Sequence, residues 1–206
     1  MLNEIVVPLH LFSNNSSRMK STTKIKLDKL IIKAYSAYFE KEFDKAHQLQ
    51  SKVLVRCIKY NYICGLGGCF ALEAKLYSHA RQWNKAVASA KKAHDYFEQI
   101  GDRVKVAHQL LTMGYFHSQM KLNDAAIGYC TIALHEFQTH NDNHGEAETH
   151  SLLGTILVEK GEYSSALHHL EKSLTFRLLE NDLDSAGSDC INIAGLYLFK
   201  DENAIA

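Results

Sequence analysis

The sequence predicts an all-α protein made of stacked helix pairs, and three observations support that prediction. The 206-residue chain contains 1 proline, far below the usual share of ~5%, and so leaves helical hydrogen bonding largely uninterrupted. Apolar residues recur at steps of three and four, which is the spacing of one helix face. Small residues and turn-forming residues recur with a period of 40 positions.

The composition and the charge exclude several classes of protein. Hydrophobic residues make up 46% of the chain and charged residues 22%, so a buried core is feasible and disorder is not expected. Lys and Arg together number 23, as do Asp and Glu, which leaves no net charge to attract nucleic acid or an anionic membrane. No stretch approaches the ~20 apolar residues of a membrane helix. We therefore expect no nucleic-acid partner and no membrane partner.

The cysteines and the N-terminal residues predict a cytoplasmic chain. The 5 cysteines are an odd number without a CxxC pair, which favours free thiols over a disulfide framework. The opening apolar patch MLNEIVVPLHLF has no basic region before it and is a poor secretory signal. Residues 1–22 are expected to form a flexible lead-in, and Met19 within them is a candidate for the true start.

Two columns of small residues share the 40-residue period. Where two helices cross at close range, Ala or Gly lets the backbones approach, and a larger side chain would cost ~1–3 kcal/mol in strain. We therefore assign both columns a role in packing between helices. One column contains Ala46, Ala86, Ala126 and Ala166, and the other contains Ala34, Ala74, Gly114, Gly154 and Ala194.

Turn residues recur with the same period. Residues that readily adopt the left-handed conformation at a helix end occur at Asn61, Gly101, Asn141 and Asn181. The next column predicts helix N-caps at Asp102, Asp142 and Asp182. Tyr62 departs from that column. The turn inside each helix pair is expected at Lys41, Arg81, Lys121 and Gly161.

These markers divide the chain into two-helix units. Apolar spacing predicts a first helix in each unit, as from Val106 to Gly114, and a second helix of roughly 17 residues, as from Trp83 to Phe97. Helix pairs that cannot bury their apolar faces alone must stack into a solenoid. We place this solenoid at 23–206, with repeats at about 27–66, 67–106, 107–146 and 147–186 and a partial repeat at 187–206.

The stretch from Gly154 to Ala166, with a turn at Gly161-Glu162 and an aromatic residue at Tyr163, resembles the tetratricopeptide repeat. Its spacing is longer than that family's usual ~34 residues and is similar to the 40-residue variety found in bacterial signalling proteins. The resemblance covers Leu27 to Ala206. It is weaker in the first repeat, because of Tyr62 and the following glycines, and in the third, where Asn123 replaces an aromatic residue. The resemblance implies a right-handed α-α superhelix of about four and a half repeats.

In the resembled family the first helix of each repeat lines a concave groove. The equivalent stripes here are aromatic and neutral-polar, a lining that suits an extended or helical peptide. They contain Tyr35, Tyr38, Lys75, Ser78, His79, His108, Leu111, Tyr115, Ser118, Gln119, Ser151 and Thr155. In an alternative that stays open, Tyr35, Tyr38 and Phe39 pack under the N-terminal segment.

Specific chemical sites find less support in the sequence. The glycines between Cys64 and Cys69 lack a following Gly-Lys-Ser, and Gly65 shares its position in the linker between repeats with Gly145, so we interpret them as structural residues of that linker. The 12 histidines show no metal-ligand spacing, and no nucleophile elbow is present. We expect no catalytic residue, no metal ligand and no cofactor.

One function of the resembled family is the clamping of chaperone C-termini by Lys, Asn and Arg side chains. The matching positions contain other residues, so a chaperone adaptor is not expected. They are Ile31, Tyr35, Leu72, His108 and Thr112.

The sequence therefore favours a non-catalytic module that binds a protein or peptide and belongs to the sensory or regulatory part of a signalling protein. One alternative is the N-terminal regulatory region of a diguanylate cyclase (GGDEF) or histidine kinase whose catalytic domain lies outside this chain. Another alternative is a regulator that senses a peptide pheromone.

The end of the chain carries a separate expectation. Residues 201–206 are expected to form only the turn and the opening of a fifth repeat's second helix. Ile193, Leu196, Tyr197 and Phe199 would then lack a covering element, although solenoid ends ordinarily need a polar cap. We expect either a fragment of a longer protein or a homodimer through this uncapped end.

Overall fold

The computed structural model describes the backbone of residues 19–205 and the side chains of residues 19–198. This part of the chain forms nine α-helices and no strand, which confirms the predicted all-α superhelical fold class. Most of the lead-in expected at residues 1–22, namely residues 1–18, lies outside the described residues. Helix α1 already begins at Ser21, inside the range expected to be flexible. The helices are α1 (Ser21–Phe39), α2 (Phe43–Lys59), α3 (Ile63–His79), α4 (Trp83–Gln99), α5 (Arg103–Gln119), α6 (Asn123–His140), α7 (Asn143–Glu159), α8 (Tyr163–Leu179) and α9 (Leu183–Ile205).

The helices pack in sequential order. Each odd-numbered helix from α1 to α7 packs on the even-numbered helix that follows it, and each such pair packs on the next. The second helices α2, α4 and α8 are 17 residues long, as expected. The repeat boundaries expected at 66/67, 106/107 and 146/147 fall at the end of the first turn of α3, α5 and α7. The helix pairs therefore begin about one turn before the expected repeats.

Left-handed residues end the helices as predicted. Asn61, Gly101, Asn141 and Asn181 have φ angles of 49°, 71°, 53° and 60°. The turns inside the pairs show the same conformation, with φ angles of 62° at Lys41, 55° at Arg81, 62° at Lys121 and 77° at Gly161. A left-handed residue therefore occurs once in every 20 residues from Lys41 to Asn181. The sequence predicted Lys41, Arg81 and Lys121 only as turn residues, because Lys and Arg are not typical of the left-handed conformation.

The three predicted aspartate caps are present. Asp102, Asp142 and Asp182 accept hydrogen bonds from backbone N–H groups three residues further on, at 3.2, 2.9 and 3.3 Å. Tyr62 has no such role, and its hydroxyl donates instead to Asp28 Oδ1 at 2.6 Å. The departure of Tyr62 from the column thus reflects a contact between α1 and the start of α3.

Most of the small residues assigned to helix packing are buried. The alanines at positions 34, 46, 74, 86, 126 and 166 are all 0% exposed. A Cβ atom added to Gly114 would lie 2.9 Å from Cys130 Sγ, and one added to Gly154 would lie 2.6 Å from Leu170 Cγ. Ala194 is exposed, because no described helix packs on its side of α9.

The glycine cluster lies inside helix α3, and neither in a phosphate-binding loop nor in the linker where the repeat spacing placed Gly65. A Cβ atom on Gly65 would lie 2.5 Å from Tyr62 Cδ1, and one on Gly67 would lie 2.6 Å from Phe97 Cε1. Gly145 occupies the same place in α7 and is closed in by Phe137. These glycines allow the start of each first helix to pack closely on its neighbours. All five cysteines are free thiols.

The C-terminal expectation is wrong in two respects. Helix α9 continues to Ile205 without the turn expected near residue 201. The turn column contains Asp201 here, and a left-handed residue other than glycine costs ~1–2 kcal/mol, a cost that the continuing helix avoids. In addition, Leu196 is only 8% exposed and Ile193 is half-buried, since both pack with Leu157 and Leu170. Tyr197 is exposed as expected, and the side chain of Phe199 lies outside the described residues.

Candidate functional site

A groove with a volume of about 740 Å³ runs along the first helices of the repeats. We use "the groove" for the surface formed by α1, α3, α5 and α7, with Arg177 of α8 at its edge. Helical periodicity explains its composition, because residues at steps of three and four on each first helix face the same side. Eleven of the twelve residues expected to line a concave surface do line it, namely Tyr35, Tyr38, Lys75, Ser78, His108, Leu111, Tyr115, Ser118, Gln119, Ser151 and Thr155.

His79 is the one expected groove residue that does not line the groove. Its ring stacks on the ring of Phe43, with centroids 3.6 Å apart and an interplanar angle of 21°. Phe43 is the first residue of α2, so His79 covers the turn between α1 and α2. The helical stripe predicted that His79 lies on the groove side of α3, one turn beyond Lys75. Its ring instead contacts Phe43, a residue of a neighbouring helix that the spacing within α3 does not reveal.

The groove is wider than the predicted stripes. Most of the additional lining residues come from positions next to each stripe, and the others come from the two ends of α7 and from α8. A curved surface between several helices exposes more than one stripe of each helix, so a wider helical wheel would have found most of them. They include Gln109, Thr112, Phe116, His144, Glu159 and Arg177.

Aromatic side chains form one wall of the groove. Tyr115 is 42% exposed, and its ring meets the Trp83 ring edge-on at a centroid distance of 6.5 Å. Tyr38 meets Phe43 in a similar way at 5.7 Å. Burial raises the pKa of Tyr38, and the nearby Tyr115 raises it further. Both the apolar ring and a protonated hydroxyl of Tyr38 are therefore available to a bound molecule.

Tyr35 lies deeper in the same wall. Its hydroxyl donates a hydrogen bond of 3.2 Å to the backbone oxygen of Gly68, and burial raises its pKa. Phe39, by contrast, is 69% exposed. Tyr35 is thus bound to α3. The alternative in which Tyr35, Tyr38 and Phe39 pack under the N-terminal segment concerns residues that lie outside the described part of the chain.

Histidines and carboxylates alternate from α5 to the ends of α7 and α8. His108 lies 3.5 Å from Asp142 Oδ2 and 3.9 Å from Glu148 Oε2. His144 lies 3.7 Å from Glu148 Oε1 and 3.6 Å from Glu180 Oε2. Glu148 therefore faces two imidazole rings, and the row joins the third helix pair to the fourth.

A buried carboxylate fixes the far end of the groove. Asp189 of α9 is 0% exposed and lies 3.0 Å from Arg177 Nη1. It also accepts hydrogen bonds from Ser173 Oγ at 2.6 Å and from Ser151 Oγ at 2.9 Å. Ser151 therefore lines the groove while its hydroxyl proton points to Asp189. Only its oxygen lone pairs remain for a bound molecule.

No three His, Cys, Asp or Glu side chains in residues 19–198 come together in an arrangement that could hold a metal ion. No helix among those described has both the length and the apolar content to cross a membrane. The groove is thus a polar and aromatic surface whose lining residues can donate and accept hydrogen bonds.

Comparisons with known proteins support the fold. No protein-family model and no curated protein matches the sequence. Among solved structures, BtubC (BKLC) from P. vanneervenii aligns with a TM-score of 0.69 at 23% identity, over 83% of this chain and 71% of that chain. The signal transduction ATPase with numerous domains and a tetratricopeptide repeat sensor from Pyrococcus horikoshii gives a TM-score of 0.73 at 18% identity, over 89% and 28%.

A third similar structure is the Rap conjugation gene regulator of the plasmid pLS20 in complex with the Phr* peptide. Its TM-score is 0.64 at 20% identity, over 80% of this chain and 48% of that chain. The chain therefore spans less than half of the regulator and about a quarter of the ATPase. At these identities the likeness concerns the fold, which is a tetratricopeptide-like helical repeat.

Proposed function

We propose that this chain is a non-catalytic binding module whose groove holds a peptide or an extended segment of a partner protein. The observation that carries the proposal is the groove itself, which combines exposed aromatic rings with hydrogen-bonding side chains from four successive helix pairs. Such a surface can contact the backbone of an extended chain while aromatic residues bind its side chains. The Phr* complex of the pLS20 regulator supports the same use of a similar fold.

The finer proposal is a sensory or regulatory role in a signalling protein of the cytoplasm. The repeat period, which resembles bacterial signalling proteins, and the tetratricopeptide sensor of the similar ATPase support it. In this proposal peptide binding changes the packing between successive helix pairs, to which the row from Asp142 to Glu180 contributes. A pheromone-sensing regulator and the regulatory region of a diguanylate cyclase or histidine kinase are specific forms of this role.

Selection from a displayed library of random peptides, followed by fluorescence anisotropy with the enriched peptides, tests the proposal. We expect enriched peptides to bind the wild-type chain, and Tyr115→Ala to weaken that binding about tenfold, because the substitution removes an exposed aromatic anchor. Tyr60→Ala is the matched control, since Tyr60 is 38% exposed but belongs to the C-cap of α2, outside the groove.

Both variants should keep the wild-type circular-dichroism melt. A library that yields no binder would contradict the proposal. So would peptides whose affinity falls with Tyr60→Ala and not with Tyr115→Ala, because those peptides would bind another face of the solenoid.

A further inference from the structure

Two side chains of opposite charge line the groove in different helix pairs. Lys75 of α3 belongs to the second pair, and Glu148 of α7 belongs to the fourth. Both residues are half-buried. A charge in such a position has lost part of its hydration, so an opposite charge on a bound molecule stabilises it.

The other fully ionic side chains among the described lining residues are already paired. Arg177 Nη1 lies 3.0 Å from Oδ2 of the buried Asp189, and Lys121 Nζ lies 2.7 Å from Oε1 of Glu159. Apart from the histidines, the rest of the lining is neutral. It includes Gln109, whose buried Oε1 atom has no hydrogen-bond partner among the described residues.

Lys75 and Glu148 have no such ion pairs. No carboxylate pairs with Lys75 in the described part of the chain. The groups that Glu148 faces are imidazole rings, at 3.9 Å from His108 Nδ1 and 3.7 Å from His144 Nε2. An imidazole is charged only when it is protonated, and each ring lies beside a second carboxylate as well. The groove therefore has an uncompensated cation on α3 and an uncompensated anion on α7.

The charge of the surrounding chain has the same polarity, although the whole sequence is neutral. Residues 19–60, which contain α1 and α2, have 10 Lys and Arg residues and 4 Asp and Glu residues. Residues 141–182, which contain α7 and α8, have 3 Lys and Arg residues and 8 Asp and Glu residues. Because the summed charges of a surface bias the charged groups of a ligand, the groove is positive towards α1 and negative towards α8.

We propose that the groove selects an extended peptide with two opposite charges, an acidic side chain that contacts Lys75 and a basic side chain that contacts Glu148. A peptide with acidic residues alone would bring a like charge to Glu148, and one with basic residues alone would bring a like charge to Lys75. A neutral peptide would cover both charges without compensating either of them. This inference rests on the proposed peptide-binding function.

The geometry of the solenoid also sets the separation of the two charged residues in the peptide. Helix α5 lies between α3 and α7, so two interhelical spacings of roughly 10 Å separate them. In the 40-residue register Glu148 corresponds to Gly68, seven positions before Lys75, which adds about 10 Å along the helix axis. An extended chain at ~3.3 Å per residue spans the combined distance of about 22 Å in about six or seven residues.

Selection from a displayed library of random 16-residue peptides at pH 8, with three forms of the chain, tests this charge pattern. The wild-type chain should enrich one acidic and one basic residue about six or seven positions apart. Lys75→Glu leaves two carboxylates in the groove and should enrich two basic residues at that separation. Glu148→Lys should enrich two acidic residues. A variant that failed to fold would lose binding altogether, so a changed charge preference reports the groove itself.

Fluorescence anisotropy with one enriched wild-type peptide tests the contact at Lys75. Replacing the acidic residue of this peptide by glutamine should weaken its binding to the wild-type chain about fivefold, as for a partly exposed ion pair. The same replacement should not change its binding to Lys75→Met. Lys52→Met, at an exposed position of α2, is the matched control and should keep the fivefold difference. An equal loss with Lys75→Met would overturn the contact.

The outcomes distinguish this inference from the proposed function. Peptides that depend on Tyr115 but have the same charge composition with all three forms of the chain would overturn the charge selectivity and leave the peptide-binding function standing. A selection that yields no binder would contradict the proposed function, and the inference with it.

Discussion

A buried histidine and its half-buried neighbour show how a single position can make stability depend on pH. His150 is 2% exposed, and its Nδ1 atom lies 2.8 Å from Nδ1 of His169. One nitrogen must donate and the other accept, so this contact holds one proton and disfavours two charged rings. Burial, followed by the charge of His169, lowers the pKa of His150 from 6.5 to about 4. Burial also lowers the pKa of His169.

The lowered pKa values determine whether stability rises or falls with pH. Between pH 6.5 and about 4 the unfolded chain binds a proton at His150 that the folded chain does not bind, so stability falls as the pH falls. Above pH 6.5 this contribution is constant. We expect urea unfolding to show a loss of roughly 1 kcal/mol per pH unit below pH 6.5. His150→Phe should flatten this slope, and His47→Phe, at an exposed position, should leave it. An unchanged slope in His150→Phe would contradict the assignment.

The turn residues provide a second prediction at the scale of single positions. Arg81 has a φ angle of 55°, which costs a residue with a Cβ atom ~1–2 kcal/mol. We expect Arg81→Gly to raise the free energy of unfolding by about 1 kcal/mol in a chemical denaturation series. Gly101 has a φ of 71°, and nothing lies within 4 Å of a Cβ atom added there. The substitution Gly101→Ala should therefore lower the free energy of unfolding by about 1 kcal/mol, through backbone strain alone. Lys91→Gly, on the exposed face of α4, is the control and should cost about 1 kcal/mol. Stabilisation by Lys91→Gly would show that the effect does not come from the left-handed conformation.

At the scale of elements, helix α9 depends on polar contacts as much as on apolar ones. Several of its large apolar side chains are exposed, including Ile191 at 74% and Leu198 at 66%. Its attachment to α7 and α8 combines Leu196 in the small C-terminal core with the bonds of Asp189 to Arg177, Ser173 and Ser151. Since solenoid repeats contact mainly their neighbours, a loss here should remain local.

We therefore expect Asp189→Ala to release α9 before the rest of the chain. Removing one partner of a buried ion pair costs ~3–5 kcal/mol, because the other charge stays buried. Hydrogen exchange should show loss of protection in α9 and the end of α8, with α3 and α4 unchanged. Asp184→Ala, on the exposed side of the same helix, is the control. Equal loss of protection throughout the chain would contradict the local role of this carboxylate.

At the scale of the whole molecule, the sequence predicted those features that depend on local chemistry. Left-handed Asn61 and the N-cap at Asp142 follow from preferences within a few residues of a helix end, and the period placed the helices between them. The groove lining followed for the same reason, because Leu111 and Tyr115 share a face through helical geometry alone. These predictions required no knowledge of distant contacts.

The features that were missed depend on residues far apart in sequence. The stacking of His79 on Phe43 joins two helices, and the unsatisfied oxygen of Gln109 is defined by what surrounds it and not by its neighbours in the chain. Helix α9 continues past residue 201, although the 40-residue period placed a turn there. Asp189 in the sequence is one carboxylate among many, and only the fold brings Arg177 to it.

The sequential packing of the helices also bears on how the chain folds. Each substantial contact between described helices joins neighbours or next neighbours, and the polar links between repeats, such as Lys121 with Glu159 and Ser151 with Asp189, span 38 positions each. Such a low contact order is typical of fast-folding helical proteins. During synthesis, each helix pair can therefore complete its interface with the preceding pair while later repeats are still being translated. Folding of this chain can thus keep pace with the ribosome.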